Sequence, residues 1–165
     1  MKTLLSFILV MWAFAAQAQI EKVRVKEVHD AQVLTVFDDE HREEFTMILI
    51  GMSCPGIHQP YGIEARDMVA KAVLGKTVRV EPVGVGPNEE LLGVIFDENG
   101  KCLNEVLISN GLAQADERET DWLKLQEKAK TKKLGIWKDG KPVDLQKDWV
   151  EHHLKGRAKK EIKTD

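Results

Sequence analysis

Two cysteines, Cys54 and Cys102, are all that this 165-residue chain carries. A pair is too few for a disulfide scaffold, so the fold has to rest on an apolar core. The pair permits one bridge in an exported chain, and two buried thiols are the other reading. Positive charge is also short: 24 Lys and Arg stand against 27 Asp and Glu, a net of −3. Internal repeats and low-complexity tracts are absent. So is a bilayer-length apolar run. The one long stretch, Leu4 to Ala15, is broken by Ser6 and falls short of the ~20 residues a spanning helix needs. No cysteine follows that stretch to take a lipid.

What the stretch does match is an export signal. Lys2 supplies the positive start, Leu4 to Ala15 the apolar centre, and Ala16-Gln17-Ala18 the small-x-small cleavage pattern. Residues 1–18 are therefore expected to be a signal peptide cut after Ala18. The product is expected in the periplasm or secreted, with no stable membrane anchor. Removing 18 residues from 165 leaves 147, ample for one domain with a real core. That mature chain holds 23 basic and 27 acidic residues, a net of −4. Its last eleven residues carry Lys155, Arg157, Lys159, Lys160 and Lys163 against Glu161 and Asp165, a net of +3. The body before them is then −7, a sign that repels phosphate and argues against a general nucleic-acid binder.

Strands come first along the mature chain. Val23 and Val25 alternate with Lys22, Arg24 and Lys26, the period of two of a half-buried strand. Gln32 to Phe37 reads as a second strand, and Phe45 to Met52 as a third after the polar turn Asp38 to Arg42. Pro55 and Pro60 bracket a loop. Ile63, Met68, Val69, Ala72 and Val73 then recur at helical spacing and stop at Gly75. Thr77 to Glu81 alternates as a fourth strand, and Leu91 to Phe96 is a fifth, ending in the tight-hairpin signal Asn99-Gly100. Leu103, Val106 and Leu107 suit a short helix closed by Gly111. Thr120 or Asp121 can cap a longer one carrying Trp122, Leu125 and Ala129 and ending at Gly135. Leu145, Trp149, Val150 and Leu154 mark a peripheral amphipathic piece before the basic tail. The expected fold class is α+β, mainly β: a five-stranded Greek-key barrel of the oligonucleotide/oligosaccharide-binding kind with about three helices. The domain is expected over residues 19–140, with the amphipathic piece and tail over 141–165.

Several spaced elements then match together: Pro55, Pro60-Tyr61-Gly62-Ile63-Glu64-Ala65, Gly75-Lys76, Leu92-Gly93, Asn104-Glu105, Gly111-Leu112-Ala113 and Gly135-Ile136-Trp137. In their order and spacing, from about Val25 to Trp137, the chain resembles the staphylococcal nuclease (thermonuclease) family. The resemblance implies hydrolysis of DNA and RNA phosphodiesters with one calcium ion. It implies two metal-binding aspartates, a glutamate that activates water and two arginines that neutralise phosphate charge. A hard cation wants oxygen ligands, water needs a base, and developing charge needs fixed donors.

Those positions are occupied otherwise. The family's Asp-Gly-Asp-Thr pattern is Asp30-Ala31-Gln32-Val33, so a metal position holds Gln32, a neutral oxygen donor. The run that carries the first arginine, the second aspartate and the glutamate is Ile48 to Gly56, with Ile48, Ser53 and Gly56 in their places. Glu90 stands where the second arginine is expected. Losing one preorganised donor costs about 3–4 kcal/mol, or ~10² to 10³ in rate, and losing a general base a further ~10² to 10⁴. The lining of the former cleft is expected to comprise Asp30, Gln32, Ser53, Cys54, Tyr61 and Glu90. The acidic turn Asp38-Asp39-Glu40 reads as solvated loop. The adjacent His152-His153 point to different faces, and His29, His41 and His58 take no role. Trp122, Trp137 and Trp149 read as core or seam anchors.

The sequence thus favours a non-catalytic binding or interaction module, with no cofactor and with a protein or peptide partner. One alternative is a noncanonical calcium-dependent nuclease. Another is a nucleic-acid binder that uses the basic tail 155–163.

Overall fold

Alternation along the first strand decides which way the sheet faces. In β1 (Glu21–Val28), Val23 and Val25 are buried while Lys22 and Lys26 stand in solvent. The same period buries Leu34 and Val36 in β2 (Val33–Asp38) and Val78 and Val80 in β5 (Thr77–Val85). Each strand offers one apolar face, and closing the sheet brings all five faces into a single interior. The structure, a computed structural model, describes residues 21–139 and Leu145. Its sheet closes in the order β1-β2-β3-β6-β5, with β3 at Glu43–Leu49 and β6 at Leu91–Phe96. All neighbours are antiparallel except β3 and β6, which pair in parallel with Ile48 opposite Leu92.

Three helices, α1 (Gly62–Val73), α2 (Leu103–Ser109) and α3 (Thr120–Thr131), complete the expected α+β barrel. Ala65, Val69 and Val73 of α1 and Leu107 and Ile108 of α2 are buried in one core with Leu34, Met47, Leu49 and Ile95. The expected signal 1–18, the basic tail 155–163, Trp149 and His152-His153 lie outside the described residues. Of the amphipathic piece, Leu145 alone is described; it is helical and buried.

Five local expectations need correction. The third strand does not run to Met52: it stops at Leu49, and Met52–Ser53 forms a separate β4 paired with β7 (Gln114–Ala115). Gly51 makes the break, at φ 76, because a Cβ there would lie 2.6 Å from the Trp122 ring. Gln32 lies just before β2 rather than in it. Neither Thr120 nor Asp121 caps α3, whose N-cap is Glu119 with no side-chain hydrogen bond. That helix also stops before Gly135: Lys133 takes the left-handed conformation at φ 52, and Gly135–Trp137 forms a separate 3-10 turn. Asn99-Gly100 does turn the chain tightly, but it joins β6 to α2 through a single bridge, Phe96 to Cys102. Both cysteines are free and buried.

Candidate binding site

The former cleft begins where β1 hands over to β2. The Asp30 carboxylate accepts the backbone N–H groups of Gln32 (2.7 Å) and Val33 (2.8 Å), so it holds its own turn. That turn drives the Gln32 side chain inward, leaving it 7% exposed. Its carboxamide is bonded at both polar atoms. Nε2 donates to the carbonyl oxygens of Leu49 (3.1 Å) and Met52 (2.9 Å), and Oε1 accepts the Cys54 N–H at 2.8 Å. The orientation is dictated by the partners, two acceptors on one side and one donor on the other. Gln32 therefore ties the end of β3 to β4 and to the loop at Pro55.

Asp30, Gln32, Ser53 and Cys54 do come together here. Ser53 is half-buried in β4 opposite Gln114. Cys54 is fully enclosed, and burial pushes its thiol well above the usual range, which makes it a packing group rather than a nucleophile. Gly56 is shaped by the loop: its N–H donates to Gln59 Oε1 at 2.8 Å and its carbonyl accepts the Gln59 N–H. Tyr61 lies further along, at the N-cap of α1 with φ 67, and packs against the core.

Ile48 is on the outer side of β3, between Val33 of β2 and Leu92 of β6. It is nevertheless 6% exposed, so this part of the barrel's outer face is apolar and covered. Glu90 lies just before β6. It is 8% exposed and anchors the β5–β6 hairpin, accepting the Asn88 N–H at 2.9 Å and the Asn88 amide at 2.6 Å. Glu90 is thus a hairpin clamp and not an open lining residue. Beside it, Glu89 takes φ 65, a left-handed turn position.

This donor set does not fit a calcium ion. A hard cation asks for several anionic or carbonyl oxygens. Here the Leu49 and Met52 carbonyls already face N–H protons, Ser53 brings no charge, and Asp30 is engaged with two amides. Among the described residues, no group of three or more His, Cys, Asp or Glu side chains is placed to hold a metal ion. The solvated-loop reading of Asp38 to Arg42 needs refinement. Asp38 accepts His41 Nδ1 at 2.6 Å and the Glu40 and His41 N–H groups, while Asp39 pairs with Arg24. The hydrogen bond lowers Asp38 and raises His41 from their ordinary values. The sequence offered no signal for that pair beyond their spacing.

A closed five-stranded barrel with a helix between its third and fourth long strands defines the oligonucleotide/oligosaccharide-binding architecture. Within it, the chain belongs to the staphylococcal nuclease family: the family model for staphylococcal nuclease homologues matches residues 40–139. An Escherichia coli protein described as an uncharacterized endonuclease is 30% identical over 135 residues, 80% of this chain and 85% of that protein. A Haemophilus influenzae protein with the same description is 24% identical over 148 residues, 87% of this chain and 82% of that one. A staphylococcal-like nuclease of Arabidopsis thaliana is 31% identical over 110 residues, 65% of this chain and 33% of that protein.

Proposed function

We propose that this protein is an exported, non-catalytic binding module built on the nuclease scaffold. The observation that carries the reading is the Gln32 carboxamide, which fills with three hydrogen bonds the place where the family resemblance expects a metal carboxylate. The replacements around it agree. Ile48 puts a covered apolar side chain where an arginine would meet phosphate, Ser53 and Gly56 bring no charge, and Glu90 presents the wrong one. The net of −7 on the mature body before its basic tail suits a protein or peptide partner better than a polyanion. No cofactor enters this reading.

The second reading, a calcium-dependent nuclease using other groups, is favoured by the relatives described as endonucleases. Incubating the mature protein with single-stranded DNA, in calcium and in chelator beside an active family member, separates the two. The binding-module reading expects intact DNA in both and no heat on calcium titration. Calcium-dependent cleavage that survives repurification overturns it.

A further inference from the structure

The first strand starts close behind the expected export cut. Cleavage after Ala18 leaves a mature chain that opens Gln19-Ile20-Glu21, and Glu21 is already the first residue of β1. An amino-terminal glutamine carries its own electrophile. A free α-amine, with an ordinary pKa of about 7.7–8.0, is partly unprotonated near neutral pH and is then a nucleophile. The side-chain carboxamide of the same residue lies within its reach, and attack there closes a small lactam ring.

The sheet bears on how firmly such a residue is held. Val25 donates its N–H to the Lys76 carbonyl at 2.9 Å. From there the antiparallel register runs through Arg24 opposite Thr77 to Glu21 opposite Val80. Hydrogen-bonded pairs alternate along such a ladder, so Val23 with Val78 and Glu21 with Val80 are the bonded pairs. The next pair in that register joins residue 19 to Pro82. Proline has no N–H. β5 therefore offers residue 19 one carbonyl acceptor and no donor, and the usual double bond of a ladder pair cannot form. Glu81, between Val80 and Pro82, is already paired with Arg79, and Lys22 stands opposite Arg79 as a further cation.

We propose that Gln19 is a modification site, and that the amino terminus of the exported protein cyclises to pyroglutamate. The α-nitrogen attacks the side-chain carboxamide carbon, and the new carbon–nitrogen bond closes the lactam. The carboxamide nitrogen leaves as ammonia, carrying a proton from the amine. Oxidant, reductant and second substrate are not required. Well-oriented intramolecular reactions reach effective molarities of about 10⁵ to 10⁸ M, and here both groups belong to one residue that the ladder holds weakly. The product suits what β5 offers. A lactam keeps one neutral N–H for the one Pro82 carbonyl, whereas an ammonium brings three donors and a charge. The ring also removes the terminal charge and closes the chain to aminopeptidases, which require a free α-amine. The inference rests on the export-signal reading and does not depend on what the Gln32 pocket does.

The test is intact-mass and amino-terminal analysis of the full chain, expressed with its signal in a Gram-negative host and sampled from the periplasm at lysis. The expected mass is that of residues 19–165 less one ammonia. Edman degradation should yield nothing until pyroglutamyl aminopeptidase is added, and should then begin at Ile20. Gln19→Ala, processed at the same bond, should show its full mass and a free amino-terminal alanine, with an unchanged thermal melt. Protein that begins at Gln19 with its amine intact overturns the cyclisation. Protein that begins at any other residue, Met1 included, overturns the inference through the export-signal reading. Neither result touches the comparison of DNA cleavage in calcium and in chelator, so failure here is distinguishable from failure of the non-catalytic reading.

Discussion

Replacing Gln32 by leucine removes one side chain and strands three backbone groups. The Leu49 and Met52 carbonyls lose their N–H donors, and the Cys54 N–H loses its acceptor. A buried polar group left without a partner costs about 1–3 kcal/mol. With three such groups, and leucine close in volume to glutamine, the expected loss is at least about 3 kcal/mol. Total stability for a domain is about 5–15 kcal/mol, so the variant loses a large share of it. For this chain length each kcal/mol moves the melting temperature by about 3–5 °C, interpolating between small and larger domains. Circular dichroism melts and urea titrations should therefore place Gln32→Leu about 10 °C or more below the parent. Gln114→Leu, at an exposed position of β7, should stay within about 0.5 kcal/mol. A Gln32→Leu loss under about 1 kcal/mol refutes the claim that the carboxamide is a structural tie. Gln32→Glu tests the same geometry by charge. One carboxylate oxygen keeps the Cys54 N–H, while the other faces two carbonyl oxygens. Its folded pKa must rise above the ordinary ~4.3, so the variant is destabilised at neutral pH and recovers as pH falls through the raised folded value toward ~4.3. Equal stability of Gln32→Glu and parent at pH 7 refutes the arrangement.

Three further outcomes are expected. Cys54, enclosed with its thiol pushed well up, should not react with a disulfide reagent in the native state and should react fully in denaturant; prompt native labelling contradicts its burial. The His41 imidazole should titrate above 6.5 in NMR, held up by Asp38, and return toward 6.5 in Asp38→Asn. For Asp38 the sign is opposite: the pair supports the fold above the ordinary carboxylate range, loses that support as pH falls through the lowered Asp38 value, and loses it again as pH rises through the raised His41 value. An unshifted His41 refutes the pair. Gly62→Ala places a Cβ 1.9 Å from the Gly56 carbonyl oxygen. It should lower the melting temperature steeply or prevent folding, and a melt within two degrees of the parent contradicts that close approach.

The barrel was legible because strands such as β1 obey the period of two, Val23 and Val25 alternating with Lys22, Arg24 and Lys26. What alternation does not reveal is where a strand is interrupted by something distant in sequence. Leu49 to Met52 is an unbroken apolar run apart from Gly51, yet Trp122, seventy-one positions away, occupies the space a Cβ at 51 would take, so the break suits glycine. Helix ends fail for a similar reason, since the last turn of α3 closes through bonds from Lys133 and Leu134 to Lys130 and Ala129 and not through Gly135. The site was legible as a set of replaced residues. It was not legible as a built object: Gln32 reads as a poor oxygen ligand, whereas its amide nitrogen does most of the bonding. Glu90 reads as an acid on a cleft rim, whereas it clamps Asn88. Both depend on side-chain direction, which spacing does not encode.

On the proposed reading, the replacements around the pocket are coupled rather than independent losses. A buried arginine is tolerable while phosphate or carboxylate answers it; without them it is an unpaired buried charge costing about 3–5 kcal/mol. Metal carboxylates without a metal face the same difficulty. A pocket that has lost one of these partners gains by neutralising the others, and Ile48, Gln32 and Ser53 are what a neutralised pocket contains. The argument is testable by a double-mutant cycle. Ile48 pairs with Val33, the residue after Gln32, so charges restored at 48 and 32 are one residue apart in register, and the cycle reads whether they reach one another. Ile48→Arg alone should destabilise by about 3 kcal/mol or more, as should Gln32→Glu at pH 7. The combined variant should lose at least about 1 kcal/mol less than the two single losses together, because each charge then answers the other. Strict additivity in urea titrations refutes the coupling, and with it the view that this pocket was emptied of charge as a unit.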